Sequence, residues 1–295
     1  MTFRELLQSS KPIILDGAMG TELEKRGFKG IWENNLTNPK AVIQVHEDYV
    51  KAGSMAVITN TLTMNRIFME SHKLEMDVAR VNREGAHLAK KAVKNNGYVL
   101  GNLSSTGQLL EPYGTVSKQA ATESFKEQAG YLAEGGVDGF IIETMIDLRE
   151  ALCASKACKG ISSLPVLACV SFDTEKNGGR TAMGNSAEEC ANALTNAGAD
   201  AIGANCGRID PDQMAEIIGI LSASTRVPII AEPNAGIPKI VSGKTVFDMA
   251  PQAFALGMVR CLRAGARILG GCCGTSPEHI KAMVDNLKGI AAAPQ

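Results

Sequence analysis

Three cysteines stand where they could share a metal: Cys206 in GANCGR (203–208), and the adjacent Cys272 and Cys273 in GGCCGT (270–275). Thiolate sulfur is a sound ligand for zinc, and three protein ligands leave a fourth tetrahedral position open to a substrate or a water. That is the arrangement of a catalytic centre rather than of a closed structural site. Successive residues of a continuing strand face opposite sides, which would part Cys272 from Cys273. Gly270, Gly271 and Gly274 remove the objection by letting the backbone turn sharply there. No Cys-x-x-Cys and no His at ligand spacing accompany the pair, so a zinc ribbon or a His-rich hydrolytic centre finds little support. Taken alone, the double Cys also fits two small buried side chains or a redox pair.

An open zinc position can activate water or a thiol. Metal binding favours the thiolate, so a substrate thiol could lose its proton near neutral pH. Three protein thiolates and a fourth from substrate make an electron-rich centre that suits sulfur attack on an activated methyl group. Two acids could orient such a substrate. Asp16 opens DGAMGTELEKRG (16–27), where Gly17, Ala18 and the following helix start offer N–H groups to a carboxylate. Glu143 lies in FIIETM (140–145). Facing inward, the two acids could hold an ammonium group, and together with the backbone they would recognise an amino acid. The alternative is that each caps the helix after it. Asn234 in AEPNAG could act as a weak ligand or hydrogen-bond partner, while Asn60 and Asn205 end their strands and orient loops or substrate.

These residues need a scaffold that brings distant segments to one rim. Apolar runs at 12–16, 55–60, 98–102, 139–143, 166–170, 201–205, 228–232 and 266–271 predict eight strands. Helical patterns lie between them at 39–52, 73–94, 117–134, 147–158, 186–196, 211–222, 248–263 and 277–287, with a short extra helix at 19–26. Strand–helix alternation argues for parallel βα units. A weak repeat supports a ring: YVKAGSMAVIT, YLAEGGVDGFIIE, LTNAGADAIGAN and CLRAGARILGG each join a helix end, a Gly and a strand. Gly53, Gly136, Gly198 and Gly265 thus precede every second strand. The expected fold is α/β, a single (β/α)8 TIM barrel over 1–295, with 288–295 a frayed tail. Loops after such strands build the active site.

Other readings are excluded or muted. With 30 Lys+Arg against 31 Asp+Glu the formal net charge is -1, which gives no basic footprint for nucleic acid. No apolar run is long enough for a membrane span, and no secretory signal precedes the first strand, so a cytoplasmic location without a membrane partner is expected. Cys153, Cys158, Cys169, Cys190 and Cys261 read as small buried hydrophobes. His46, His72, His87 and His279 are too scattered for a metal cluster and read as satisfied or solvent-exposed. Met64, Met69 and Met76 form no cofactor box, and neither a P-loop nor a dinucleotide fingerprint is present.

Through DGAMGTELEKRG, VITNTLTMN, STGQLLEP, IIETM, GANCG, PNAG and GGCCGT, the chain resembles the homocysteine S-methyltransferase family, especially the zinc-bearing homocysteine domain of cobalamin-dependent methionine synthases. The resemblance covers about residues 10–285. It implies one zinc per chain on Cys206, Cys272 and Cys273, homocysteine sulfur at the open position, Asp16 and Glu143 around the amino-acid moiety, and Asn234 near the metal when substrate is absent. The product would be methionine. Two departures concern the donor: Ser104 and Ser105 stand before Thr106-Gly107 where Gly-Pro is frequent, and Leu62 stands where an aromatic is common. The chain has no room for folate, corrinoid and reactivation modules. A methyl-corrinoid on a separate carrier protein is therefore the expected donor, docking over the barrel mouth. S-methylmethionine or another small sulfonium is the alternative within the family, and a catalytically silent zinc-binding scaffold is the alternative of another class.

Overall fold

The computed structural model of the chain describes residues 1–292. Eight parallel strands form the barrel: β1 (Ile13–Ile14), β2 (Ala56–Ile58), β3 (Tyr98–Leu103), β4 (Gly139–Met145), β5 (Val166–Val170), β8 (Ala201–Asn205), β9 (Ile229–Glu232) and β12 (Ala266–Leu269). Between them, β6 (Phe172–Thr174) and β7 (Arg180–Thr181) form one small hairpin, and β10 (Lys239–Val241) and β11 (Lys244–Val246) another. The barrel ladder runs β1-β12-β9-β8-β5-β4-β3-β2. At the seam between β2 and β1, the Met55 N–H donates to Ile14 O at 2.7 Å. Two residues further along, where the chain leaves β1, the Asp16 carboxylate takes the Ile58 N–H at 3.0 Å. A side-chain oxygen thus stands in for a strand carbonyl.

Alternation sorts the strand residues into two layers. Ile13, Leu15, Leu100, Ile141, Leu167, Cys169, Ala201, Ile230 and Ile268 fill the barrel, while Ile14, Val57, Val99, Phe140, Ile202 and Leu269 pack outward against helices. The interior is a packed core rather than a pore. Its N-terminal end is closed by an element absent from the sequence expectation, α1 (Phe3–Gln8), which buries Phe3, Leu6 and Leu7 against the interior. A capping box between Thr2 and Glu5 starts this helix. The Arg267 guanidinium donates to Leu7 O and Ser9 O at its far end.

Eight helices surround the strands: α4 (Pro39–Ala52), α6 (Val78–Val93), α7 (Lys118–Glu134), α8 (Leu148–Ile161), α9 (Ala187–Asn196), α10 (Pro211–Ser224), α11 (Pro251–Arg263) and α12 (Pro277–Ala292). Short helices α2 (Met19–Lys25), α3 (Asn34–Thr37) and α5 (Arg66–Ser71) sit in the loops after β1 and β2. The four repeat glycines hold φ of 111°, 83°, 82° and 115° in chain order, the left-handed turn that the repeat required. The helix expected over 73–94 begins only at Val78. Lys73 has φ of 54°, and Asp77 caps the new start by accepting from Arg80 N. The last helix runs past Leu287 to Ala292, and 293–295 of the expected tail lie outside the described residues. Among the described residues, no helix is long and apolar enough to cross a membrane.

Candidate metal and substrate site

Above the apolar filling, the next inward position of several strands is polar. Asn102 follows Leu100 by two, Glu143 follows Ile141, and Glu232 follows Ile230. All three are buried, as is Asn205. Of these, Asn102 and Glu143 line a cavity of about 720 Å³ at the C-terminal end of the barrel, together with Gly17, Asn60, Cys206 and Cys272, while Asn205 and Glu232 are buried beside it.

The three expected cysteines meet there. Their Sγ atoms all lie within 4.8 Å of one another, with Cys206 and Cys273 4.0 Å apart. Zinc–sulfur bonds of about 2.3 Å in a tetrahedron set sulfurs about 3.8 Å apart, so the donor set fits zinc with small adjustments. Each thiol is placed by unusual backbone. Cys206 itself takes φ of 55° as the chain leaves β8. Beyond β12 a turn closes from Thr275 N to Cys272 O at 3.1 Å, with Gly274 at φ 79°. This turn brings Cys272 and Cys273 to the same side. All eight cysteines are free thiols, and the remaining five are buried as expected.

Hydrogen bonds polarise the trio. Those from the Cys272 and Cys273 thiols outweigh burial and hold Cys206 down at about 3, with Gly207 N–H and Asn234 assisting. In return the Cys206 contact pushes Cys273 up to about 12 and Cys272 well above the usual thiol range. Asn234 sits behind Cys206, its Nδ2 donating to Gly207 O at 3.0 Å while its buried Oδ1 has no partner.

The two acids are not helix caps. Ala18 is the N-cap of α2 and Asp147 caps α8. Burial pushes Glu143 up to about 8, with the nearby charges of Asp16 and Cys206 adding to it. Asp16 is raised by burial and drawn back by His46 and the Ile58 N–H. Asn205 Nδ2 lies 3.5 Å from Glu143 Oε1 and 3.8 Å from Cys272 Sγ, so Asn205 sits between acid and thiol. Asn60 donates to Ile31 O and to Asn35 Oδ1, leaving its own buried Oδ1 unpartnered.

The loop after β1 is stitched to the cysteine loop. The Ala18 N–H donates to Thr275 Oγ1 at 3.1 Å, Thr275 Oγ1 donates to Cys272 O at 2.7 Å, and the Tyr49 hydroxyl donates to Ala18 O at 3.0 Å. Gly17 is essential to this approach: a Cβ there would lie 2.6 Å from Thr275 Oγ1 and 2.9 Å from the Tyr49 ring. The expectation that Ala18 offers a free N–H is thereby corrected, because Thr275 already engages it.

Two further expectations change. His46 is neither exposed nor satisfied; it is fully buried beside Asp16. Ser104 and Ser105 do not shape the cavity. Ser104 donates to Glu143 O and Ser105 to the Glu150 carboxylate, while Leu62 does line the cavity. Glu232 was missed, although the two-residue step from Ile230 points to it. Burial and the neighbouring Glu143 and Asp16 lift its carboxyl well above the ordinary range.

A family model described as homocysteine S-methyltransferase matches residues 13–287. The methionine synthase of Mycobacterium tuberculosis is 29% identical over an alignment of 304 residues, covering 95% of this chain and 25% of that protein. The chain thus spans about a quarter of the length of this curated relative. Among solved structures, the metallated form of the homocysteine methyltransferase MmuM from Escherichia coli aligns with a TM-score of 0.80 at 22% identity, covering 96% of this chain and 99% of that one. A methyltransferase from Methanosarcina mazei aligns with a TM-score of 0.60 at 12% identity, covering 96% and 95%. These structural likenesses speak to the barrel fold.

Proposed function

The chain belongs to the homocysteine S-methyltransferase family, and from that premise we propose that it transfers a methyl group to the thiol of homocysteine, forming methionine. The observation that carries this reading is the meeting of Cys206, Cys272 and Cys273 at the wall of a cavity that the buried Glu143 also lines. The three cysteines would hold one zinc ion. Bound there, zinc would lower the pKa of a substrate thiol and keep its sulfur nucleophilic.

The chain's own groups do the orienting. Glu143 and Asp16 hold the ammonium group, and the unpartnered oxygens of Asn60 and Asn102 offer it further acceptors. Gly17 lets the loop after β1 close on the carboxylate, with Ala18 fixed by Thr275 and Tyr49. Asn205 keeps Glu143 and the cysteine loop in register, and Asn234 supports Cys206 from behind. Met19, Phe28, Ile58 and Leu62 give the cavity an apolar wall that excludes water from the sulfur.

The proposed donor is a methyl-corrinoid on a separate carrier protein. Supporting this, Leu109, Tyr113, Ile146, Ile237, Ile240 and Val241 are exposed on loops at the C-terminal rim. They lie in the segments after β3, β4 and β9, so a partner seated over the mouth would meet apolar side chains from several sides. A small sulfonium such as S-methylmethionine is the second reading, favoured by a cavity of about 720 Å³ walled by Met19, Phe28, Ile58 and Leu62, which has room for a small donor beside the acceptor. The test offers homocysteine with a methylated carrier corrinoid protein, free methylcobalamin or S-methylmethionine, and follows methionine and the cobalt spectrum. Turnover with the carrier and appearance of Co(I) are expected. Turnover with S-methylmethionine alone promotes the second reading, and none with any donor in zinc-loaded protein overturns the methyltransferase reading.

A further inference from the structure

Beneath the cavity lies a residue that the proposed reaction leaves unused. On α4, Val42, Val45 and Tyr49 form the buried face, and His46 occupies the same face with no exposure. A buried donor or acceptor without a partner is costly, because it has given up its bonds to water for nothing. Yet neither ring nitrogen of His46 has a hydrogen-bond partner. Its Nδ1 lies 3.8 Å from Asp16 Oδ2, just beyond hydrogen-bonding distance. Asp16 is half satisfied in turn: Oδ2 takes the Ile58 N–H, while the buried Oδ1 has no partner. Among the described residues, no Lys or Arg pairs with Asp16; His46 is its one potential cationic neighbour within 4 Å.

We infer that His46 is a positioning residue for the ammonium group of the substrate, closing its Nδ1–H onto Asp16 Oδ2 when the ammonium takes Oδ1. The inference rests on the reading of homocysteine as acceptor. His46 lies behind Asp16 on α4 and acts through that carboxylate. One carboxylate oxygen accepts two donors, so the Ile58 N–H and the imidazole can share Oδ2. With the ammonium on the other oxygen, the buried charge is surrounded by donors, as a buried charge requires. The consequence is selectivity. A thiol of the same length and carboxylate but without the amine brings nothing to Oδ1 and draws no benefit from His46.

Calorimetry on zinc-loaded protein with homocysteine and with 4-mercaptobutyrate, its amine-free counterpart, separates these effects. His46→Leu should weaken homocysteine about 10-fold and leave 4-mercaptobutyrate unchanged. His46→Asn, whose amide nitrogen falls near Nδ1, should recover most of the loss, whereas His46→Gln, whose amide reaches toward Nε2, should not. Equal homocysteine affinity in wild type and His46→Leu overturns the inference, as does a parallel loss for both ligands, the mark of a purely structural role. Should the Leu variant fail to fold, the contrast between Asn and Gln decides: no difference between them overturns it. A wild-type protein that binds no homocysteine at all refutes the underlying functional reading, an outcome distinct from these.

Discussion

The Asn205 side chain reaches past β5 to Thr144 on β4: its Oδ1 accepts the Thr144 N–H at 2.8 Å, and its Nδ2 donates to the Thr144 hydroxyl at 3.0 Å. Thr144 holds φ of 58°, a costly conformation for a β-branched residue. The two bonds offset that cost and so fix the orientation of the preceding Glu143. Asn205 is also the residue before Cys206, which couples the acid to the thiolate trio.

Replacing Asn205 by Ala should therefore impair the site more than the fold. The expected fall in kcat/KM for homocysteine is about 10- to 100-fold, the scale of a small misplacement of a substrate contact. Loss of stability should be about 1–3 kcal/mol from the groups left unpaired. Steady-state kinetics beside denaturant unfolding checks both, and unchanged kcat/KM would remove Asn205 from the positioning role.

Cys206→Ala removes one of the three sulfurs that meet at the cavity wall. Zinc retained after dialysis should fall from ~1 per chain to a small fraction, because two thiol ligands bind far less tightly than three. The barrel has its own core, so the far-ultraviolet circular dichroism should not change. Elemental analysis of the folded variant is the check; full zinc occupancy would exclude Cys206 as a required ligand.

Much of this architecture was legible because buried parallel strands are short apolar runs, and because the glycines at 53, 136, 198 and 265 mark the turns before alternate strands. The cysteines were legible as ligands because Gly270, Gly271 and Gly274 announced a turn. The β10–β11 hairpin escaped detection because it lacks periodic apolar signal, whereas α1, with Phe3, Leu6 and Leu7 at helical spacing, was open to detection. Every residue of β10 and β11 is exposed, and their turn depends on Ser242 and Gly243 at φ 50° and 76°. Lys73 to Asp77 carries ordinary helix formers, so only tertiary context breaks the helix there. His46 sits in phase with Val42, Val45 and Tyr49, so a helical pattern shows it as buried but cannot show that it faces Asp16. Glu232 was accessible in principle, through the same two-residue step that places Glu143.

The plug at the opposite end of the barrel should act on stability alone. Phe3 is buried among interior residues, and Phe3→Ala should cost about 3–5 kcal/mol. Denaturant unfolding should register this while zinc content and homocysteine affinity stay at wild-type levels. A loss of zinc in the folded variant would mean that the two ends are coupled.

Asp200 provides a pH signature of the fold. Burial opposes its charge, but Lys159, the Val166 N–H and Arg4 outweigh burial and hold its carboxyl below the usual range. Because the folded value lies below the unfolded value of about 3.9, the contribution is present above pH ~4 and is lost as pH falls through the depressed value. Asp200→Asn should lower the unfolding free energy at pH 7 by about 1–2 kcal/mol, and the gap to wild type should shrink toward pH 3. Urea titrations at the two pH values decide it; a gap that widened in acid would contradict the pairing.

The Asp16 oxygen that takes the Ile58 N–H at the β1–β2 seam has an evolutionary corollary. Most substitutions at position 16 are penalised twice, once for opening the wall and once for discharging the pocket. Asn is the near-isosteric exception, since its side-chain oxygen can still accept the Ile58 N–H while its charge is gone. A lineage released from its chemistry could therefore drift through Asn at this position and keep an intact barrel, whereas a lineage that retains the chemistry has no such freedom.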